Sequence, residues 1–152
     1  MKYLKYILIV TLFAFLLISC SENNPVEPED HFQPEGWLFI DGASIRIMQI
    51  FRGKFKQDSD TLFYVPFGED TDHISIKFFD AEGKEIEPPT DTQKSLSWEI
   101  NDTTVVDLER HDGEEWEFHL FGKKKDTTSI QFFVMHNGHN DVRSGFIKIK
   151  VD

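Results

Sequence analysis

The stretch MHNGHND, residues 135 to 141, carries the sharpest coordination chemistry in this 152-residue chain. His136 and His139 flank Asn137-Gly138, so two imidazoles three positions apart in a turn can face one cation. Imidazole nitrogen suits Zn²⁺ or Cu²⁺. His119 lies on the polar side of EWEFHLF (115–121) and becomes the third donor if that segment runs beside residues 128–136, with Glu117 or Asp141 as carboxylate alternatives. The spacing also occurs in plain hairpin tips, where Asn-Gly and Asn-Asp serve turn geometry alone. A chain without any cofactor is therefore the first expectation, and Zn or Cu the alternative.

ERHDGEEWE (109–117) is a second candidate, with Glu109, His111, Asp112, Glu114 and Glu115 around Gly113. Its oxygens could take Ca²⁺, but it lacks the alternating Asp/Asn spacing of a calcium loop, so it reads as a solvated acidic turn. GEDTDH (68–73) reads as another turn. No nucleophile elbow, HExxH helix or phosphate-cradling glycine loop is present, so no catalytic activity is expected. The formal charge of −11 repels nucleic-acid phosphates and anionic headgroups. Nucleic acid is therefore not an expected partner.

The remaining reactive group is the single cysteine, Cys20, and its surroundings explain it. Lys2 and Lys5 make a positive start, thirteen largely apolar residues run from Tyr6 to Ile18, and small Ser19 precedes the cysteine. That run is short for a membrane-spanning helix and fits the core of a secretion signal. Leu17-Ile18-Ser19-Cys20 resembles a bacterial lipobox. The resemblance implies that the Cys20 thiol is alkylated by a diacylglycerol, that the Ser19–Cys20 bond is cleaved, and that the new amine is acylated (palmitate-type chains). Two or more chains anchor stably, at about 0.8 kcal/mol per buried CH₂. Cleavage would leave 152 − 19 = 133 residues with 27 acids and 16 − 2 = 14 bases, a charge of −13. The expected place is the bacterial cell envelope. Ser21 is compatible with sorting to the outer membrane, and the acids that follow weakly resemble a surface-export signal. The expected partners are the membrane, through Cys20, and an unknown protein or glycan ligand.

SENNPVEPEDHFQPEG (21–36) holds three prolines and five acids. It buries too little to offset its ordering entropy and reads as an extended tether. The expected organisation is a signal peptide over 1–19, a tether over 20–35 and one domain over 36–152.

Within that domain the hydrophobic period is two. WLFIDGASIRIMQIF holds two apolar runs around Asp41-Gly42, a hairpin signal. TLFYVPF (61–67) reads as a strand that Pro66 ends or holds at an edge. HISIKFFD, SLSWEI, TTVVDLE, EWEFHLF, TSIQFFVMH and SGFIKIKV alternate in the same way. About eight to ten short strands with regular turn signals predict an all-β antiparallel sandwich. Fifteen phenylalanines and three tryptophans supply buried area to a domain without a disulfide.

Residues 95–151 run from SLSWEI through NDTTVVDLE, an aromatic strand, a Lys-rich turn and DTTSIQFFV to FIKIKV. This order resembles the C-terminal half of bacterial Ig-like (BIG-type) domains, and it departs from them at Lys123 to Asp126. The resemblance implies an immunoglobulin-like sandwich acting as a non-enzymatic binding or structural module. Phe39, Phe79, Phe121 and Phe133 fall opposite the main apolar stripes of their strands. They are read as strand faces covered within the fold, with an aromatic platform for a glycan as the alternative.

Overall fold

In the computed structural model the described residues are Phe32 to Asp152. The signal segment 1–19, Cys20 and the tether as far as residue 31 lie outside them. Alternating sequence becomes strand throughout, and the described residues contain no helix.

Twelve strands follow in chain order: β1 (Gly36–Asp41), β2 (Arg46–Phe51), β3 (Lys54–Phe55), β4 (Leu62–Val65), β5 (Ile74–Phe79), β6 (Glu85–Ile86), β7 (Lys94–Ile100), β8 (Val106–Glu109), β9 (Glu117–Gly122), β10 (Thr127–His136), β11 (His139–Arg143) and β12 (Ile147–Val151). β3 and β6 are two-residue strands, so the longer ones meet the expected number.

One sheet runs β3-β2-β1-β5-β9-β8, with β6 added along β5; the other joins β11, β10, β12 and β4, with β7 on β10. In an immunoglobulin sandwich, A, B, E and D share one sheet and C, F and G the other. Here β1, β5, β9 and β8 take the first set of positions, and β7, β10 and β12 take the second. The chain is an immunoglobulin-type β-sandwich. The antiparallel expectation needs one correction, because β4 pairs in parallel with β12 (Leu62 opposite Lys148, Val65 opposite Val151). β4 ends before Pro66, which has no N–H to continue a ladder.

The core lies between the sheets. Trp37 and Phe39 of β1, Phe118 of β9 and Phe132 of β10 are almost wholly buried. The Phe132 ring centroid lies 4.9 Å from that of Phe118 and 5.4 Å from that of Phe39. Burial of each such side chain contributes about 1.5–3 kcal/mol. Phe32 packs edge-on against Phe78 with centroids 4.9 Å apart, and Glu35 N–H donates to Phe79 O. The packed domain thus takes in the last residues assigned to the tether.

One face assignment changes. Phe39 points into the core, because its register partner on β5 is Ile76 and that of Trp37 is Phe78. Phe79 does lie on the opposite face from Phe78, but it is 2% exposed. The Phe51 ring meets it edge-on at 6.1 Å and the Lys56 ammonium sits 4.6 Å above it. Phe121 and Phe133 are half-buried. Phe146 is 63% exposed.

The first hairpin also differs in detail. Its left-handed residue is Ser44 (φ 64°) rather than Gly42. The Asp41 carboxylate accepts the N–H groups of Ala43 and Ile45 and closes a longer loop.

Gly122 ends β9 at a crossing point. A Cβ there would lie 2.3 Å from Pro66 O and 2.9 Å from a Val151 methyl. Only glycine lets residues 66–72 lie this close against β9.

Candidate functional site

Strand register builds a cluster that sequence spacing does not reveal. β5 and β9 pair with Ile74 opposite Phe118 and Ser75 opposite Glu117. Extending that register by one step sets His73 opposite His119. Phe118 and Leu120 point into the core, so His119 points to the outer face, as the alternation predicts. On the other side of β9, Glu109 of β8 pairs with His119. The loop from Arg110 to Trp116 then folds back over this face. Three imidazoles gather there, with ring centroids 4.0 Å apart for His73–His119, 5.0 Å for His111–His119 and 6.0 Å for His73–His111.

Carboxylates complete the cluster. His73 Nδ1 lies 3.6 Å from Glu114 Oε2 and 3.7 Å from Glu117 Oε2. Among the described residues, His73, Glu114 and His119 form the one set of three nitrogen or carboxylate donors that all lie within 4.8 Å of one another. A hollow of about 200 Å³ opens beside them, lined by Asp70, Thr71, Asp72, His73, Glu109, His111 and His119.

The segment 70–72 is strapped to β9. Thr71 N–H donates to Leu120 O, and Leu120 N–H donates to the Thr71 hydroxyl. His119 Nδ1 lies 3.1 Å from Thr71 O. A carbonyl only accepts, so Nδ1 carries a proton, and in the neutral ring Nε2 keeps its lone pair. That Nε2 and Glu114 Oε2 are both shielded from solvent, and neither has a hydrogen-bond partner.

The same segment borders a larger cleft of about 410 Å³ between the sheets. Its floor is apolar, including Ile47, Leu62 and Phe63, and Asp41, Asp60, Asp70 and Asp72 stand at its margins. Tyr64, 59% exposed, stands at its rim. Volumes of about 300–1,000 Å³ with apolar walls and a few polar groups are the usual size for small-ligand sites.

His136 and His139 sit elsewhere, as cross-strand partners at the β10–β11 tip. Asn137 and Gly138 have φ of 50° and 82°, so Asn-Gly here makes the two-residue turn with both central residues left-handed. The His136 ring is turned inward, 3.6 Å from the buried Asp141 carboxylate, with Nε2 3.2 Å from Asn137 Nδ2. His139 is exposed. Nearby, the Gln93 amide and then the Lys94 ammonium hold the Asp91 carboxyl below its ordinary value.

His119 does not join this pair. Its strand neighbours are β5 and β8, whereas β10 pairs with β7, β11 and β12 in the other sheet. The turn 123–126 carries the chain across the sandwich between β9 and β10, so sequence neighbours become opposite layers. In the sequence His73 stands where the GEDTDH turn meets the HISIKFFD strand, and Glu114 stands in the acidic 109–117 turn. The available signal was the alternation of HISIKFFD and EWEFHLF, which places His73 and His119 on the outer faces of two strands that pair.

No protein-family model matches the sequence, and no curated protein matches it. Among solved structures, the chain is similar to the crystal structure of domains 4 and 5 of the S-layer protein SbsC. The two share 14% identity with a TM-score of 0.41, over 60% of this chain. The aligned part spans 42% of that S-layer chain.

Proposed function

We propose that this chain is a lipoprotein of the bacterial cell envelope, anchored at Cys20, whose immunoglobulin-type sandwich is a non-enzymatic binding module. One observation carries the binding half of this reading. The apolar cleft and the imidazole–carboxylate cluster lie side by side and share Asp70, Thr71 and Asp72, so one end of the sandwich concentrates the recognition chemistry. The ligand class that suits the cleft is a glycan. A sugar ring would lay its C–H face on Tyr64 and donate its hydroxyls to the marginal carboxylates. The lipobox sequence supports the anchor, and the strand order supports kinship with bacterial Ig-like domains.

Mass spectrometry of the chain isolated from membranes tests the anchor. The expected product starts at Cys20 and carries acyl chains; a polypeptide starting at Met1 without lipid refutes it. A glycan array tests the cleft. Binding that Tyr64→Ala abolishes supports the assignment, and an array with no binder overturns it.

A further inference from the structure

We propose that His73, Glu114 and His119 are the protein ligands of a divalent transition-metal ion of the Zn²⁺ type. This inference rests on the reading of that end of the sandwich as the binding end, and it names one ligand of it.

The first support is the pair of orphaned atoms. His119 Nε2 presents a lone pair and Glu114 Oε2 presents another, both shielded from water and both unbonded. Two buried acceptors left without a hydrogen bond are costly, and a cation satisfies both. A protonated His73 between Glu114 and Glu117 would account for those two carboxylates. It would leave His119 Nε2 unpaired, because His119 spends its proton on Thr71 O.

The second support is spacing. Ligands about 2.0–2.1 Å from a tetrahedral zinc lie about 3.3 Å from one another. His73 Nδ1 and Glu114 Oε2 are 3.6 Å apart, and the widest separation in the trio is within 4.8 Å. The two imidazoles stand on facing strand positions, while Glu114 follows Gly113 (φ 88°) in a turn closed by Glu114 N–H donating to His111 O. The turn leaves the carboxylate free to close on the two imidazoles while the strands stay fixed.

The third support is the outer shell. A metal-bound histidine characteristically donates its other N–H to a carbonyl or carboxylate, which fixes the tautomer and aims the ring. His119 Nδ1 to Thr71 O is such a bond, and Thr71 is itself tied to Leu120 from both sides. Two nitrogens and one carboxylate favour a borderline ion over Ca²⁺ or Mg²⁺, which take oxygen sets. Three protein ligands leave a fourth position for water, and the exposed His111 stands beside it.

Calorimetric titration of the purified full-length chain in detergent, stripped with chelator and then given Zn²⁺, tests the assignment. One ion per chain with micromolar or tighter affinity is expected. Glu114→Gln and His119→Gln should each weaken it at least tenfold while the far-ultraviolet β signature stays unchanged. Glu114→Gln is the variant that leaves the strands untouched. No binding of Zn²⁺ or Co²⁺, or an affinity unchanged in both variants, overturns the proposal. Zinc binding in a chain that fails the glycan array upholds this site and removes only the cleft assignment.

Discussion

Two histidine pairs in this domain look alike on paper and differ in space. His136 and His139 are three residues apart and meet across a hairpin, yet one ring is turned inward toward Asp141 and the other faces solvent. His73 and His119 are 46 residues apart in sequence and meet edge-on at 4.0 Å, His73 just before β5 and His119 on the adjoining β9, beside an unbonded nitrogen and an unbonded carboxylate oxygen. Closeness in sequence made a turn in the first case. Closeness in register made a donor cluster in the second. A β-sheet selects its neighbours by pairing, so a sandwich assembles chemistry across strands more readily than along one.

The largest expected effect strikes both regions together, because they share one core. β9 carries Phe118 beside His119 and β10 carries Phe132 toward the same centre, with the rings 4.9 Å apart. Phe118→Ala should cost about 3–5 kcal/mol, read as a fall in the urea midpoint with both regions lost in one transition. An unfolding midpoint within about 1 kcal/mol of the parent would break the single-core picture.

Next in size is Gly122→Ala, which separates the regions. The added methyl collides with Pro66 O and Val151, at an expected cost of about 1–3 kcal/mol. Amide exchange should quicken at Thr71 and Leu120, while the β10–β11 tip stays protected.

A smaller effect sharpens the contrast between the pairs. His73→Ala should weaken zinc binding about tenfold, equivalent to about 1.4 kcal/mol. His139→Ala should leave it within a factor of two. The reverse result would move the site to the hairpin.

The smallest effect is a pH dependence away from both regions. The Thr104 hydroxyl, and then the Thr104 N–H, hold the exposed Asp102 carboxyl below its ordinary value of 3.8. A carboxyl lowered in the folded state adds stability that is present above the unfolded value and is lost as pH falls through the folded one. The urea midpoint should therefore respond slightly more to acid, below about pH 4, in the parent than in Asp102→Asn.

Much of this architecture was legible in the residues. Alternation marks the strands, Pro66 marks the end of β4, and Asn137-Gly138 marks the hairpin. The faces of β1 were not, because a central strand with Trp37, Leu38 and Phe39 all buried has no polar side to orient it. The parallel β4–β12 pair was hidden because alternation is blind to strand direction. The cluster was half visible. Alternation puts His119 on the outer face, but which strand lies beside it depends on the crossover at 123–126. No local pattern encodes that change of sheet.

An anomalous-scattering map from zinc-soaked crystals tests the central claim most directly. One strong peak is expected about 2.0–2.1 Å from His119 Nε2, with His73 and Glu114 drawn to it. A peak between His136 and His139, or no ordered zinc on the outer face of β9, would contradict it.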